Sequence, residues 1–205
     1  MAQFFTLHPA NPQLRLIRTA VEIIKAGGII AYPTDSSYAL GCHIGDAKAL
    51  DKIRAIRQVG DEHNFTLVCA DLSELGKYAR IDNQDYRTIK RLTPGPYTFI
   101  LPATREVPRR LQNPKRKTIG LRVPDYPIVT ALLDTLGEPI MSSTLLLPGA
   151  ILPLNDAFEI EAAVGNQIDL VIDGGSCDIN PTTVLELDSG QINVAREGKG
   201  DISFL

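Results

Sequence analysis

Four clusters of polar or charged side chains in this chain have the composition of anion-binding surfaces. The stretch AYPTDSSYALGC, residues 31–42, leaves a hydrophobic run at Pro33 and then crowds Thr34, Asp35, Ser36 and Ser37 ahead of Tyr38. Hydroxyls at the rim of a cleft can bind a small polar ligand or position a phosphate. The competing reading is an ordinary turn in which Thr34, Asp35 and Ser36 bond their own backbone. The second cluster, Met141-Ser142-Ser143-Thr144, places hydroxyls directly after an apolar segment, the composition of a cleft rim or of a second Ser/Thr turn. The third pairs Arg54 with Arg57 at a helix end ahead of GDEHNFTL. Guanidinium groups there can grip phosphate through paired hydrogen bonds, and a solvated helix face is the alternative. The fourth is TREVPRRLQNPKRKT, residues 104–118, which packs Arg105, Arg109, Arg110, Lys115, Arg116 and Lys117 between prolines. Such a run can meet RNA phosphates or the polyphosphate of a nucleotide with salt-sensitive affinity, or it can serve only as a solvated loop.

Composition narrows the chemistry further. The net charge is −3, so attraction to nucleic acid must come from local clustering of cations rather than from the whole molecule. No GxxxxGK[ST] loop, GxGxxG turn or GxSxG elbow is present, which removes support for the common NTPase, dinucleotide and α/β-hydrolase readings. Cys42, Cys69 and Cys177, with His8, His43 and His63, show no CxxC or HExxH spacing, so neither a disulfide framework nor a tetrahedral metal site is signalled. Cys69 lies in an expected buried strand and reads as a core thiol. The opening MAQFFTLHPANPQ lacks a basic segment followed by a long apolar run, and no later stretch reaches the ~20 apolar residues of a membrane span. The expectation is a cytoplasmic protein in a reducing compartment, without membrane contact, its oligomeric state open between monomer and weak dimer.

The elements that position these clusters follow from periodicity. Residues 14–26 set Ile17, Ala20, Val21 and Ile24 on one helical face, and Gly27-Gly28 supplies a left-handed stop. The continuous apolar run 29–32 predicts a strand buried on both faces, ended by Pro33, which cannot donate to a sheet ladder. Asp46 caps a second helix running to about Gln58, and a strand is expected over 65–69. Short helices near 71–79 and 83–92 precede strands at 97–101 and 118–123, and then a helix striped by Val129, Leu132, Leu133 and Leu136. Strands at about 139–143, 168–173, 182–187 and 192–195 complete the pattern. Alternating elements imply a single-domain α/β sandwich, residues 1–205, on a twisted mixed sheet. The closing strands, without helices between them, imply antiparallel pairing there. In open α/β sheets ligands lie beyond the carboxyl ends of the strands, which is where the 33–38 segment falls.

Several separated stretches, in order, resemble the YrdC-like family of threonylcarbamoyl-adenylate synthases: KAGGIIAYPTDSSYALGC (25–42), TPGPYTFILP (93–102), TIGLRVPDYP (118–127), the Ser142 region, PTTVLEL (181–187) and REG (196–198). Within the family the sequence is most similar to the YciO branch. The resemblance implies a twisted α/β sandwich with a concave, positively lined cleft. It implies an enzyme that joins L-threonine, bicarbonate and ATP into threonylcarbamoyl-AMP and pyrophosphate for transfer RNA modification, with magnesium carried by the nucleotide. It also implies affinity for double-stranded RNA, here assigned to Arg105, Arg109, Arg110, Lys115, Arg116 and Lys117. Carried over by position, Ser36, Tyr38, Arg122 and Thr182 take the amino-acid side. Arg57, Asn64, Thr118, Thr144 and Arg196 take the nucleotide, and Arg57, Ser142 and Thr144 stand at the reacting groups. Three family positions are changed: the second base of a lysine-x-arginine pair falls on Val59, a histidine on Cys69, and an asparagine on Thr144. Arg54 and His63 are the nearby groups able to replace a lost donor. The changes imply a paralogue with weakened synthesis, and leave open a hydrolase of threonylcarbamoyl-AMP or a non-catalytic binder of duplex, transfer or ribosomal RNA.

Overall fold

A computed structural model describes residues 1–60 and 63–205. In chain order the elements are β1 (Gln3–Thr6), α1 (Leu14–Lys25), β2 (Ile30–Tyr32), β3 (Ala39–His43), α2 (Ala47–Arg57), β4 (Thr66–Val68), α3 (Leu72–Tyr78) and α4 (Asn83–Leu92). They continue as β5 (Tyr97–Pro102), β6 (Thr118–Arg122), α5 (Pro127–Leu136), β7 (Ile140–Thr144), α6 (Ala157–Val164), β8 (Leu170–Asp173), β9 (Thr183–Asp188) and β10 (Gln191–Arg196). Local chemistry sets the boundaries. Asp46, Asp82 and Asp156 each accept hydrogen bonds from backbone N–H groups at the starts of α2, α4 and α6, satisfying donors that no helical carbonyl reaches. Pro127 opens α5, and Gly137, at φ 77°, closes it in the left-handed conformation.

The ten strands form one mixed sheet in the order β1-β8-β2-β3-β7-β4-β6-β5-β9-β10. The expected antiparallel closure holds only for β9 with β10. β8 runs parallel to both β1 and β2, and β9 runs parallel to β5. The reason is that residues 174–182 carry the chain from one side of the sheet to the other, so β8 and β9 are consecutive in sequence but not neighbours. Three elements went unread in the sequence: β1, β3 and α6.

Two apolar clusters sandwich the sheet. One face buries Leu50 and Ile53 of α2, Leu75 of α3, Ile89 of α4 and Ile160 of α6 against Leu67, Phe99, Leu121 and Met141. The other face buries the expected stripes of α1 (Ile17, Ala20, Val21, Ile24) and α5 (Val129, Leu132, Leu133, Leu136) against Ile30, Tyr32, Leu170 and Ile172. These two helices pack on each other and stop short of the other half of their face. That uncovered half is where the polar clusters meet.

Candidate ligand-binding cleft

The floor of the cleft is one register row across five strands. Ser142 of β7 pairs with Thr66 of β4, Thr66 with Gly120 of β6, Gly120 with Ile100 of β5, and Ile100 with Glu186 of β9. Residues in register share a face, and all five line a cavity of about 360 Å³. Three of its central residues are small, which makes the floor concave. A Cβ on Gly120 would stand 2.9 Å from Thr66 Oγ1 and 3.0 Å from the Phe65 carbonyl oxygen.

Guanidinium groups reach this floor from separate walls. Arg57, the last residue of α2, arrives around the start of β4 and donates to Ser143 Oγ. Arg122, at the end of β6, pairs with Asp35 of the 33–38 turn, and both its terminal nitrogens lie 3.4 Å from Ser36 Oγ. Arg196, at the end of β10, donates through Nε and Nη2 to the Thr182 carbonyl at 3.1 and 2.8 Å. The buried hydroxyls of Thr98 and Thr182 bond each other at 2.8 Å beside it. The Nε atoms of Arg57 and Arg122 are buried and have no hydrogen-bond partner among the described residues.

Electrostatics agree with that geometry. Burial first, and then Arg196, lowers the pKa of Arg57; burial and Arg122 do the same for Arg196. His63, whose Nε2 is 3.5 Å from Ser143 Oγ, is pushed down to about 4 by burial and by Arg57, Arg54 and Arg196. It is therefore neutral at pH 7. An anion placed among these groups would relieve their mutual repulsion.

The 33–38 segment is both a turn and a wall. Thr34 Oγ1 donates to the Ser37 carbonyl at 2.7 Å and accepts from Ser36 N at 3.2 Å, the self-bonded turn chemistry that the sequence also allowed. Asp35, meanwhile, fixes Arg122 and accepts from the backbone of Asp125. The structure brings Arg57, Asn64, Arg122, Ser142, Thr144, Thr182 and Arg196 together as cleft lining, with Ser36 against Arg122.

Two expected residues stand apart. Tyr38 is fully buried, its hydroxyl donating to the Gly175 carbonyl at 2.9 Å, so it braces the 174–175 turn rather than facing the cleft. Thr118 shares the face of Gly120 and Arg122 but falls outside the lining, its hydroxyl buried without a partner among the described residues. Cys69 is buried with its thiol pKa raised by burial, Glu74 and Asp71, as a core thiol should be. Ser37 and Ser143, members of the two hydroxyl clusters, also line the cleft; sequence reading missed Thr66, Thr98 and Glu186, and an apolar lip of Ile151, Leu152 and Ile179. The pairing register reveals Thr66, Thr98 and Glu186 only once the strand order is known.

The basic run 105–117 does not line the cleft as a block. Arg110 pairs with Asp51 at 3.6 Å, and Arg116 with Glu186 at 2.8 Å. It touches the cleft through two residues: Arg116, on Glu186 of the floor, and Asn113, which donates from Nδ2 to Asn64 Oδ1 at 3.0 Å. Among the described residues no three His, Cys, Asp or Glu side chains gather as a metal ligand set. No helix among them is long and apolar enough to cross a membrane.

Fold and cleft together define a class: α/β proteins in which an uncovered sheet face presents hydroxyls and guanidinium groups to an anion. The chain belongs to the Sua5–YciO–YrdC family, whose model, described as "Telomere recombination", matches residues 22–198. The YciO protein of Escherichia coli strain K12 is 55% identical over 202 residues, 98% of each chain. A crystal structure of E. coli YciO superposes with a TM-score of 0.96, covering 99% of this chain and 98% of that one. More distantly, a threonylcarbamoyl-AMP synthase of Enterobacter sp. strain 638 is 28% identical over 184 residues, 88% of this chain and 96% of its own. The structure of P. abyssi Sua5 complexed with L-threonine is 25% identical, with a TM-score of 0.87 over 95% of this chain and 57% of that one.

Proposed function

We propose that the cleft binds L-threonine beside a nucleotide, in the form of threonylcarbamoyl-AMP, and that its synthesis from threonine, bicarbonate and ATP is slow in this chain. The observation that carries this reading is the convergence of Arg57, Arg122 and Arg196 on one cleft whose walls also hold Ser142, Thr144 and Thr182. The family relation to a threonylcarbamoyl-AMP synthase, and to a Sua5 protein that takes L-threonine, supplies the ligand class.

In this reading Arg122, steadied by Asp35 and Ser36, takes the amino-acid carboxylate, and Thr182 lines the same side. Asn64 and Arg196 hold the nucleotide. Arg57, Ser142 and Thr144 face the phosphate where a carbamate oxygen bonds phosphorus as the bond to pyrophosphate breaks. Magnesium would arrive on the nucleotide's own phosphates. Charge grows on the phosphate oxygens during that step, and each fixed donor missing from such a site lowers the rate by roughly 10²–10³. Val59 and Thr144 stand where the synthases carry an arginine and an asparagine, so weakened synthesis follows. Arg54 and His63, near Arg57, are the groups able to replace a lost donor, and breakdown of the adenylate by water is the second direction for the same ligand. A His63 imidazole with its pKa pushed down to about 4 is a weak base, so in that direction it orients the water rather than deprotonating it.

The test is ATP–pyrophosphate exchange dependent on threonine and bicarbonate, run beside breakdown of added threonylcarbamoyl-AMP. The expected result is exchange slower than that of a synthase by about 10²–10³, with the adenylate bound or consumed. Absence of exchange, breakdown and any thermal shift with the adenylate would overturn the reading. It would leave a binding module for duplex, transfer or ribosomal RNA, whose cations the basic run supplies.

A further inference from the structure

A second concavity lies away from the cleft, lined by Arg80, Arg105, Arg109 and Lys117 together with Thr104 and Gln112. It encloses about 620 Å³, and no carboxylate is among its lining residues. The four cations come from two places in the chain. Arg80 follows α3, and the others belong to the loop between β5 and β6. None of the four has an ion-pair partner among the described residues, and each is exposed. Their neighbours in the run differ: Arg110 and Arg116, which do not line the concavity, are paired with Asp51 and Glu186. The run is thus sorted, with acids neutralising the cations that point elsewhere and leaving these unneutralised.

Backbone hydrogen bonds hold the cations' chain segments in place. Ala79 bridges Ala103, Arg80 N donates to the Pro102 carbonyl at 2.9 Å, and Thr104 N donates to the Tyr78 carbonyl at 2.9 Å. Ala103 N donates to the Lys117 carbonyl at 2.9 Å, which ties the end of the loop to its beginning. Lys117 adopts φ 56°, a left-handed conformation that glycine takes freely and a side-chain-bearing residue rarely adopts. Gln112 donates from Nε2 to the Val107 carbonyl at 2.9 Å, which ties its side chain to the same loop. Arg80 also borders a neighbouring depression with Asp82 and Asp85, but forms no ion pair with either.

Like charges fixed around one concavity repel unless an anion sits among them. Guanidinium groups suit the oxygens of phosphate, which accept two parallel hydrogen bonds, and Lys117 adds a point charge. We propose that this concavity is a phosphate-binding site, separate from the cleft, for a ligand with more than one phosphate group. The phosphates can belong to a free oligophosphate or to a nucleic-acid backbone, and the two sources give different results below. The inference does not depend on what the cleft binds.

The experiment titrates the intact protein with inorganic pyrophosphate and tripolyphosphate by calorimetry, at low and at near-physiological salt. Parent protein is compared with Arg105→Ala/Arg109→Ala, with the cleft variant Arg57→Ala/Arg196→Ala, and with Arg15→Ala/Arg18→Ala on the distant helix α1 as a charge-matched control. Expected is binding that weakens with salt and falls about tenfold for each cation removed at the concavity. It should survive in the cleft variant and in the control. Equal thermal unfolding of the parent, the concavity variant and the α1 control without ligand shows that these exposed substitutions leave the fold intact, and retained oligophosphate binding shows the same for the concavity of the cleft variant. Displacement of tripolyphosphate by duplex RNA, with the same loss in Arg105→Ala/Arg109→Ala, assigns the phosphates to a nucleic-acid backbone; failure of RNA to displace it assigns them to a free oligophosphate. Absence of oligophosphate binding, or binding lost only in the cleft variant, would overturn the proposal.

Discussion

Arg122 and His63 show how burial gives single residues in the cleft their properties. Arg122 is buried, with Asp35 and Ser36 on its terminal nitrogens, so it is locked in orientation at the wall of the cleft. His63 is held neutral by the same burial and by three arginines. This has a signature in stability. Between pH 4 and 6.5 the unfolded chain protonates His63 while the folded chain does not, so stability rises with pH across that window and is level above it. Discounted for partial solvent access, the effect is about 1–2 kcal/mol. Urea unfolding at about pH 5 and pH 7 should show a larger pH-dependent gain in the parent than in His63→Gln. Parallel behaviour of the two proteins would show that His63 is not held neutral.

At the scale of elements, the concavity depends on small residues in one register row, and two glycines separate this role from mere permissiveness. Gly120→Ala pushes a methyl against Thr66 Oγ1 and the Phe65 carbonyl, the second a main-chain atom that cannot swing away. Overpacking of this kind should destabilise by roughly 1–3 kcal/mol and raise the floor of the cleft. A methyl added at Gly76, in α3, would meet nothing within 4 Å, so Gly76→Ala should stabilise by roughly 0.5–1 kcal/mol. Thermal and chemical unfolding of both variants check the opposite signs. The elements that the sequence revealed are those whose signal is local. The stripes of α1 and α5, the fully apolar β2 and the caps at Asp46 and Gly137 need no knowledge of neighbours. β1 went unread because two phenylalanines make too short a signal, and its parallel partner β8 lies more than a hundred residues on. β3 was hidden behind the polar turn, and α6 carries a weak stripe. The same limit explains the site. Ser36, Arg57 and Ser142 stand out by type and position and Arg122 through the family resemblance, whereas Thr66, Thr98 and Glu186 join them only through the register of non-adjacent strands. Tyr38 looked like a ligand contact from its place in the turn, but alternation along the strand turns it into the core.

Over the whole molecule, charge is arranged rather than accumulated. The chain carries a net −3, yet Arg57, Arg122 and Arg196 converge on one cleft, and Arg80, Arg105, Arg109 and Lys117 on another concavity. Two helices cover half of one sheet face and leave the other half open, so the cleft is a consequence of how the layers are filled. The ten-strand sheet carries its walls from sequence positions as distant as Asp35 and Arg196. The most direct test of this account is calorimetric titration of threonylcarbamoyl-AMP, or a hydrolysis-resistant analogue, into the parent protein and into Arg57→Ala and Arg122→Ala. The account predicts one site per chain, with affinity reduced about tenfold or more in each variant, because each loses a charge-assisted contact to the ligand. Parent-like affinity in both variants, or no binding to the parent protein, would contradict it.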